Sequence, residues 1–171
     1  MYYKTSYTSP VGLLTLACHG DNIVGLWNQG QKHYGAGILE EMLARDDVPV
    51  LEKGKIWLDR YFAGKNPNMS ELPLAPIGEE FRQIVWSIIC EIPYGKVTTY
   101  GEIAKKVAKK MNRASMSSQA VGGAVGRNPI SIIIPCHRVV GTNGSLTGYA
   151  AGIDIKVKLL ELEGLNMSSF F

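Results

Sequence analysis

Cys136 and His137 are the two residues of this chain best suited to chemistry. They lie in the pentapeptide Pro135-Cys136-His137-Arg138-Val139, directly after an apolar run, Ile130 to Ile134, that reads as a buried strand. A free thiol titrates at about 8.5, so at neutral pH little of it is thiolate, and a reacting cysteine needs a base or a positive field beside it. His137 is the neighbouring base. Adjacent side chains on extended backbone point apart, so proton transfer requires a turn at this point or a bridging water. Glu163, in the last helical pattern, can orient the imidazole as a third group. The plain alternative is that Cys136 is a small buried hydrophobe and the pair is structural. Asn128-Pro129, just upstream, reads as a turn, and the Asn128 amide is placed to brace the strand end that presents Cys136.

The elements that must position these residues can be read from pattern. Tyr3 to Tyr7, Leu13 to Cys18 and Ile23 to Trp27 predict a β-meander with turns at Ser9-Pro10 and Gly20-Asp21-Asn22. A short helix is expected over 38–45, and another from Pro49, with Leu51, Ile56, Trp57, Tyr61 and Phe62 as its apolar stripe. Residues 65–78 hold three prolines and read as a linker. The expected domains are therefore 1–75 and 76–171. The second begins with a helix over 79–91, with Phe81, Ile84, Val85, Ile88 and Ile89 buried and Cys90 near that face. Thr98 or Thr99 caps a helix over 100–110, with Ile103, Ala104, Val107 and Ala108 on one side and Lys105, Lys106, Lys109 and Lys110 largely on the other. Ser117 or Ser118 caps a helix of small residues over 119–125. A last helix, 155–163, turns Ile155, Leu159 and Leu162 inward. Two short helices joined by a loop form a helix-turn-helix pattern, although any helical hairpin shares it.

Charge is unevenly spread. Residues 1–79 hold 7 Lys and Arg against 9 Asp and Glu, whereas 80–171 hold 11 against 6. The basic half suits a polyanionic partner. Three cysteines without a spacing framework fit free thiols in a reducing, cytoplasmic setting. No apolar stretch approaches a membrane span, no signal peptide opens the chain, and no membrane partner is expected. Cys18, His19 and His33 match no metal-ligand spacing, so no metal is expected.

Val97-Thr98-Thr99-Tyr100-Gly101-Glu102-Ile103-Ala104, Ala120-Val121-Gly122-Gly123-Ala124, Asn128-Pro129 and Ile134-Pro135-Cys136-His137-Arg138-Val139-Val140 occur in order. Together they resemble the O6-alkylguanine-DNA alkyltransferases, also called methylated-DNA–protein-cysteine methyltransferases. The resemblance is strong over 80–164 and weak over 1–79. It implies an α/β protein with an N-terminal ribonuclease H-like α/β domain and a C-terminal, mostly helical winged helix-turn-helix domain. It implies a DNA repair enzyme that moves an alkyl group from O6-alkylguanine to its own Cys136, once per molecule and with no cofactor. The partner is double-stranded DNA bound through the minor groove, with the damaged base flipped out, and the protein is expected to act as a monomer.

By the same resemblance, His137 takes the thiol proton through a water and Glu163 holds His137 in its tautomer. Tyr100 crowds the target phosphate and donates a proton toward the leaving guanine, and Asn128 supports the turn. The carbonyls of Cys136 and Val139 accept from the guanine amino group, and Tyr149 walls the pocket. Gln119, Ala120, Gly122, Arg138 and Ala150 complete the expected DNA and base contacts. The family usually carries an arginine where this chain has Gln119, and Arg113 is the alternative replacement. A serine often found after the pocket tyrosine is Ala150 here. Two other classes remain at this stage. A damage sensor would use the helical hairpin alone, and relatives without activity replace the cysteine that this chain keeps. A cysteine hydrolase would have no use for the hairpin or the Tyr100 segment.

Overall fold

The computed structural model describes residues 1–171. The chain forms two compact units: 1–77 together with 129–133, and 78–128 together with 134–171. The segment Pro129–Ile133, expected in the second part, thus belongs to the first.

In the first unit, β1 (Tyr2–Ser9), β2 (Gly12–His19) and β3 (Asn22–Asn28) form an antiparallel meander. The β1–β2 turn is tied by Ser9, whose hydroxyl donates to the Gly12 carbonyl and accepts from the Val11 amide. The helix expected over 38–45 does not form. Gly35, Ala36 and Gly37 all take positive φ. A 3-10 turn over Leu39–Glu41 then leads into β4 (Met42–Ala44), which pairs parallel to β1. An open sheet edge satisfies those backbone groups better than a short isolated helix does. The sheet order is β3-β2-β1-β4. Next comes α1 (Pro49–Phe62), with proline in its first turn. It buries Val50, Leu51, Gly54, Trp57, Leu58 and Tyr61, a helical stripe, while Ile56 of the expected stripe faces solvent. A methyl on Gly54 would lie 2.6 Å from Leu16 Cδ2, so glycine here lets the helix close onto the sheet.

Residues 129–133 extend this unit past β3: Leu26 donates to the Pro129 carbonyl and Ser131 donates to Leu26. They are not the expected strand. Only Ile130 makes a β-bridge, to Leu26, and Ile132 sits at φ +71°. A β-branched residue in that region is strained, and its burial holds it there.

The second unit contains α2 (Glu80–Ile89), β5 (Thr98–Thr99), α3 (Tyr100–Lys110), α4 (Ser118–Gly126), β6 (Val139–Val140) and α5 (Ile153–Leu162). Trp86 on α2 donates its indole N–H to the Ala124 carbonyl on α4. Thr99 caps α3 by accepting from Glu102, and Ser117 caps α4 by accepting from Gln119 and Ala120. β5 and β6 pair parallel, Thr98 with Val139 and Thr99 with Val140. That two-residue ladder sets Tyr100 beside the Cys136 segment. No helix is long and apolar enough to cross a membrane.

Candidate active site

Cys136, His137 and Arg138 form a single 3-10 turn, in place of the expected strand mouth. All three are buried. The Val139 amide donates to the Cys136 carbonyl and closes the turn.

Asn128 sets where the turn begins. Its side chain donates to the Ile134 carbonyl at 2.8 Å, so it joins the two ends of the 129–133 excursion. It also hydrogen-bonds the thiol of Cys136. Burial pushes the thiol above its ordinary value; the Asn128 amide, the nearby charge of Lys156 and the Tyr149 hydroxyl pull the other way. At rest the group is a thiol, surrounded by partners that favour its anion.

The imidazole of His137 is fully buried, with Nε2 2.6 Å from Glu163 Oε2. Burial lowers its basicity below the ordinary histidine value, the Glu163 carboxylate opposes this, and the charges of Arg138 and Lys156 add to the lowering. The ring is thus neutral at pH 7. With an ionised carboxylate at Nε2 the proton resides there, which leaves the lone pair on Nδ1.

Glu163 is the hub. Burial alone would raise its pKa, but hydrogen bonds and charge from His137, then Arg138 and the Gly95 amide, hold it at about 2. Arg138 donates through Nε to Oε1 at 2.8 Å and through Nη2 to Oε2 at 3.1 Å. Its Nη1 donates to the Ile92 carbonyl at 2.7 Å, and the guanidinium lies 5.7 Å from the centre of the Tyr94 ring. The Gly95 amide completes the set, donating to Oε1 at 3.0 Å. Gly95 has φ +75°, and a methyl there would meet the Glu163 carbonyl at 3.1 Å. The turn after α2 therefore requires glycine.

This corrects the expectation for Arg138. The resemblance puts it among the DNA contacts, but its side chain is 8% exposed and committed to Glu163. Its Nε, Nη1 and Nη2 are all engaged inside the protein, so the guanidinium is not presented to a phosphate.

Tyr100 opens α3 with its hydroxyl donating to the Thr147 carbonyl at 3.1 Å. Burial, with the proximity of Cys136, raises its pKa, so the phenol keeps its proton. Its ring lies against Gly122 of α4, where an added methyl would sit 3.8 Å from Cδ1. Gln119 and Ala120 are exposed on the first turn of α4, and Tyr149 and Ala150 are half-buried in the loop before α5.

Lys156 did not emerge from the sequence as a site residue. It is 0% exposed, and Nζ donates to the carbonyls of Val139 at 2.6 Å, Gly148 at 3.2 Å and Thr147 at 3.4 Å. Burial brings it down to about 8, against the pull of Cys136. The Val139 carbonyl, expected to accept from guanine, already accepts from this ammonium; a carbonyl oxygen has a second lone pair. The available signal was spacing. Lys156, Leu159 and Leu160 on α5 and Glu163 at its C-cap follow i, i+3, i+4, i+7 spacing, and all four are buried.

A buried thiol with three groups favouring its anion, beside a neutral imidazole held by an ionised glutamate, can deliver sulfur to an electrophilic carbon. Residues 80–165 match the family described as 6-O-methylguanine DNA methyltransferase, DNA binding domain, and residues 1–76 match its ribonuclease-like domain. The chain belongs to this family. It is 40% identical to the methylated-DNA–protein-cysteine methyltransferase of Haemophilus influenzae, over 94% of this chain and 86% of that protein. It is 42% identical to the protein of that name from Mycobacterium leprae, over 95% and 93%. The crystal structure of Mycobacterium tuberculosis OGT in complex with DNA is similar at a TM-score of 0.81 and 37% identity, covering 94% of this chain and 92% of that one. Family members are thus alike across both units. The names of these relatives describe a methyltransferase whose acceptor is a protein cysteine.

Proposed function

We propose that the protein repairs DNA by moving the alkyl group of O6-alkylguanine onto Cys136. The observation that carries this is the arrangement of the thiol: Asn128, Tyr149 and Lys156 all favour its anion, and the adjacent imidazole is locked to Glu163. The thiol proton passes to His137 through a water. The sulfur forms a bond to the alkyl carbon as the bond from carbon to O6 breaks. Tyr100 donates a proton to the departing guanine and is restored through solvent as His137 gives up the proton it took, so the net proton lost by sulfur is gained by the guanine. The thioether has no easy leaving group, so each molecule reacts once and no cofactor enters.

The second unit then acts as a winged helix-turn-helix, with α3 and α4 as the hairpin, on a ribonuclease H-like first unit. α4 enters the minor groove. Its exposed residues Ser118, Gln119, Ala120 and Gly123 are small or uncharged, which suits close approach to a groove with little sequence information. The damaged guanine is flipped to reach Cys136, because O6 is hidden in a duplex. Gln119 fills the gap left in the stack, with Arg113 as the other candidate for that role. The protein works as a monomer in the cytoplasm. Support for the partner comes from the relative crystallised with DNA.

The test is Cys136→Ser, with duplex binding and alkyl transfer measured side by side. The variant keeps binding and loses transfer. Loss of both would make the cysteine structural, and retained transfer would place the acceptor elsewhere.

A further inference from the structure

The positive charge of the second half is local. Residues 100–127 hold six Lys and Arg against one Glu, whereas the rest of 80–171 holds five against five. All six cations are exposed, and among them only Lys105 has an acidic partner, Glu102 at 3.3 Å. Four of them, Lys105, Lys106, Lys109 and Lys110, lie on α3, and the opposite side of that helix is buried. Two of those four, Lys109 and Lys110, sit in the last turn, where the helix dipole favours cations. The dipole does not account for Lys105 and Lys106, a turn further back.

The four do not share one direction. A methyl built on Gly101 would lie 4.0 Å from the Ser118 hydroxyl, so the Gly101 side of α3 faces the first turn of α4. Lys105 and Lys109 continue the i, i+4 row that Gly101 begins, turning about 40° per step. Lys106 and Lys110 lie about 100° further round, away from α4. Lys105 and Lys109 thus stand about 40° and 80° from the side of α3 that meets α4, whereas Lys106 and Lys110 stand about 140° and 180° from it.

We propose that Lys105 and Lys109 form a phosphate-contacting row on α3, gripping the backbone of the same duplex whose groove α4 enters. This rests on the DNA-repair reading above and adds to it which cations supply the sequence-independent hold. The other pair, Lys106 and Lys110, is a solvated face.

The helix supplies its own control. Two double variants, Lys105→Gln with Lys109→Gln and Lys106→Gln with Lys110→Gln, remove equal charge from the same helix. Duplex affinity is measured against salt concentration, together with alkyl transfer from the free base O6-benzylguanine. Each phosphate contact contributes about 0.9 to the slope of log affinity against log salt. The first variant should lower the slope by about two, and the second should leave it near that of the wild type. Both should react with the free base at the wild-type rate. Equal losses in the two variants would show bulk charge and overturn the row, as would no loss in either or the larger loss in the second. Failure of the repair reading would look different: the wild type itself would leave free base and duplex unreacted.

Discussion

Glu163 divides its two oxygens between a base and a permanent cation: His137 Nε2 stands 2.6 Å from Oε2, and Arg138 reaches Oε1 at 2.8 Å and Oε2 at 3.1 Å. The histidine can therefore stay neutral without leaving the buried carboxylate uncompensated. Removing the arginine breaks a buried ion pair and strands the acid. Arg138→Met should destabilise the fold by about 3–5 kcal/mol, measured by denaturant unfolding. Arg138→Lys keeps the charge but loses the fork, and should fall between. If Arg138→Met unfolds at the wild-type midpoint but loses DNA affinity, the arginine faces the duplex after all.

The same carboxylate predicts an acid limb. Its folded pKa, about 2, lies below the ordinary value of 4.5. The stabilisation it contributes is thus complete above 4.5 and is lost as pH falls through about 2. Unfolding of wild type and Glu163→Gln is to be compared across that window. The stability gap between them should narrow steadily as pH drops, and a gap independent of pH would mean that Glu163 is not ionised in the folded protein.

Asn128 holds two things at once, the Ile134 carbonyl and the thiol. Asn128→Ala leaves a buried carbonyl without its donor and should cost about 1–3 kcal/mol. It should also slow reaction of Cys136 with a small alkylating reagent, because the bond favouring the anion is gone. Asn128→Asp supplies an acceptor where a donor is needed and should be slower still. An unchanged alkylation rate in both variants would confine Asn128 to folding.

Lys156 supplies the buried positive charge that favours the Cys136 anion. Lys156→Met should reduce Cys136 alkylation at neutral pH on the order of tenfold, with partial recovery as pH is raised. Lys158→Met, exposed on the same helix, should change nothing. Equal rates in wild type and Lys156→Met would leave the ammonium as a clamp on the Val139, Thr147 and Gly148 carbonyls alone.

The sequence made the helical stripes and caps legible because side-chain period and capping chemistry are local. Thr99 and Ser117 cap their helices, and Ile103, Ala104, Val107 and Ala108 are buried together. It misled where the decisive partner is remote. Ile130 to Ile134 has strand composition, but hydrogen bonds to Leu26 and the left-handed backbone at Ile132 make it an irregular crossing. Met42 to Ala44 joins the sheet because β1, forty residues earlier, has a free edge. Arg138 looked like a surface cation because Glu163, its partner, is 25 positions away. Lys156 is hard to read from sequence because the buried stripe along α5 is not wholly apolar: it has a lysine at one end and a glutamate at the other.

The central claim is that one sulfur accepts carbon from guanine and keeps it. The direct measurement is the intact mass of the protein after mixing with a duplex bearing O6-methylguanine, followed by peptide mapping. The predicted result is a gain of one methylene per chain, located on Cys136 and unchanged by further incubation. An unmodified mass, or the methylene on any other residue, would contradict it.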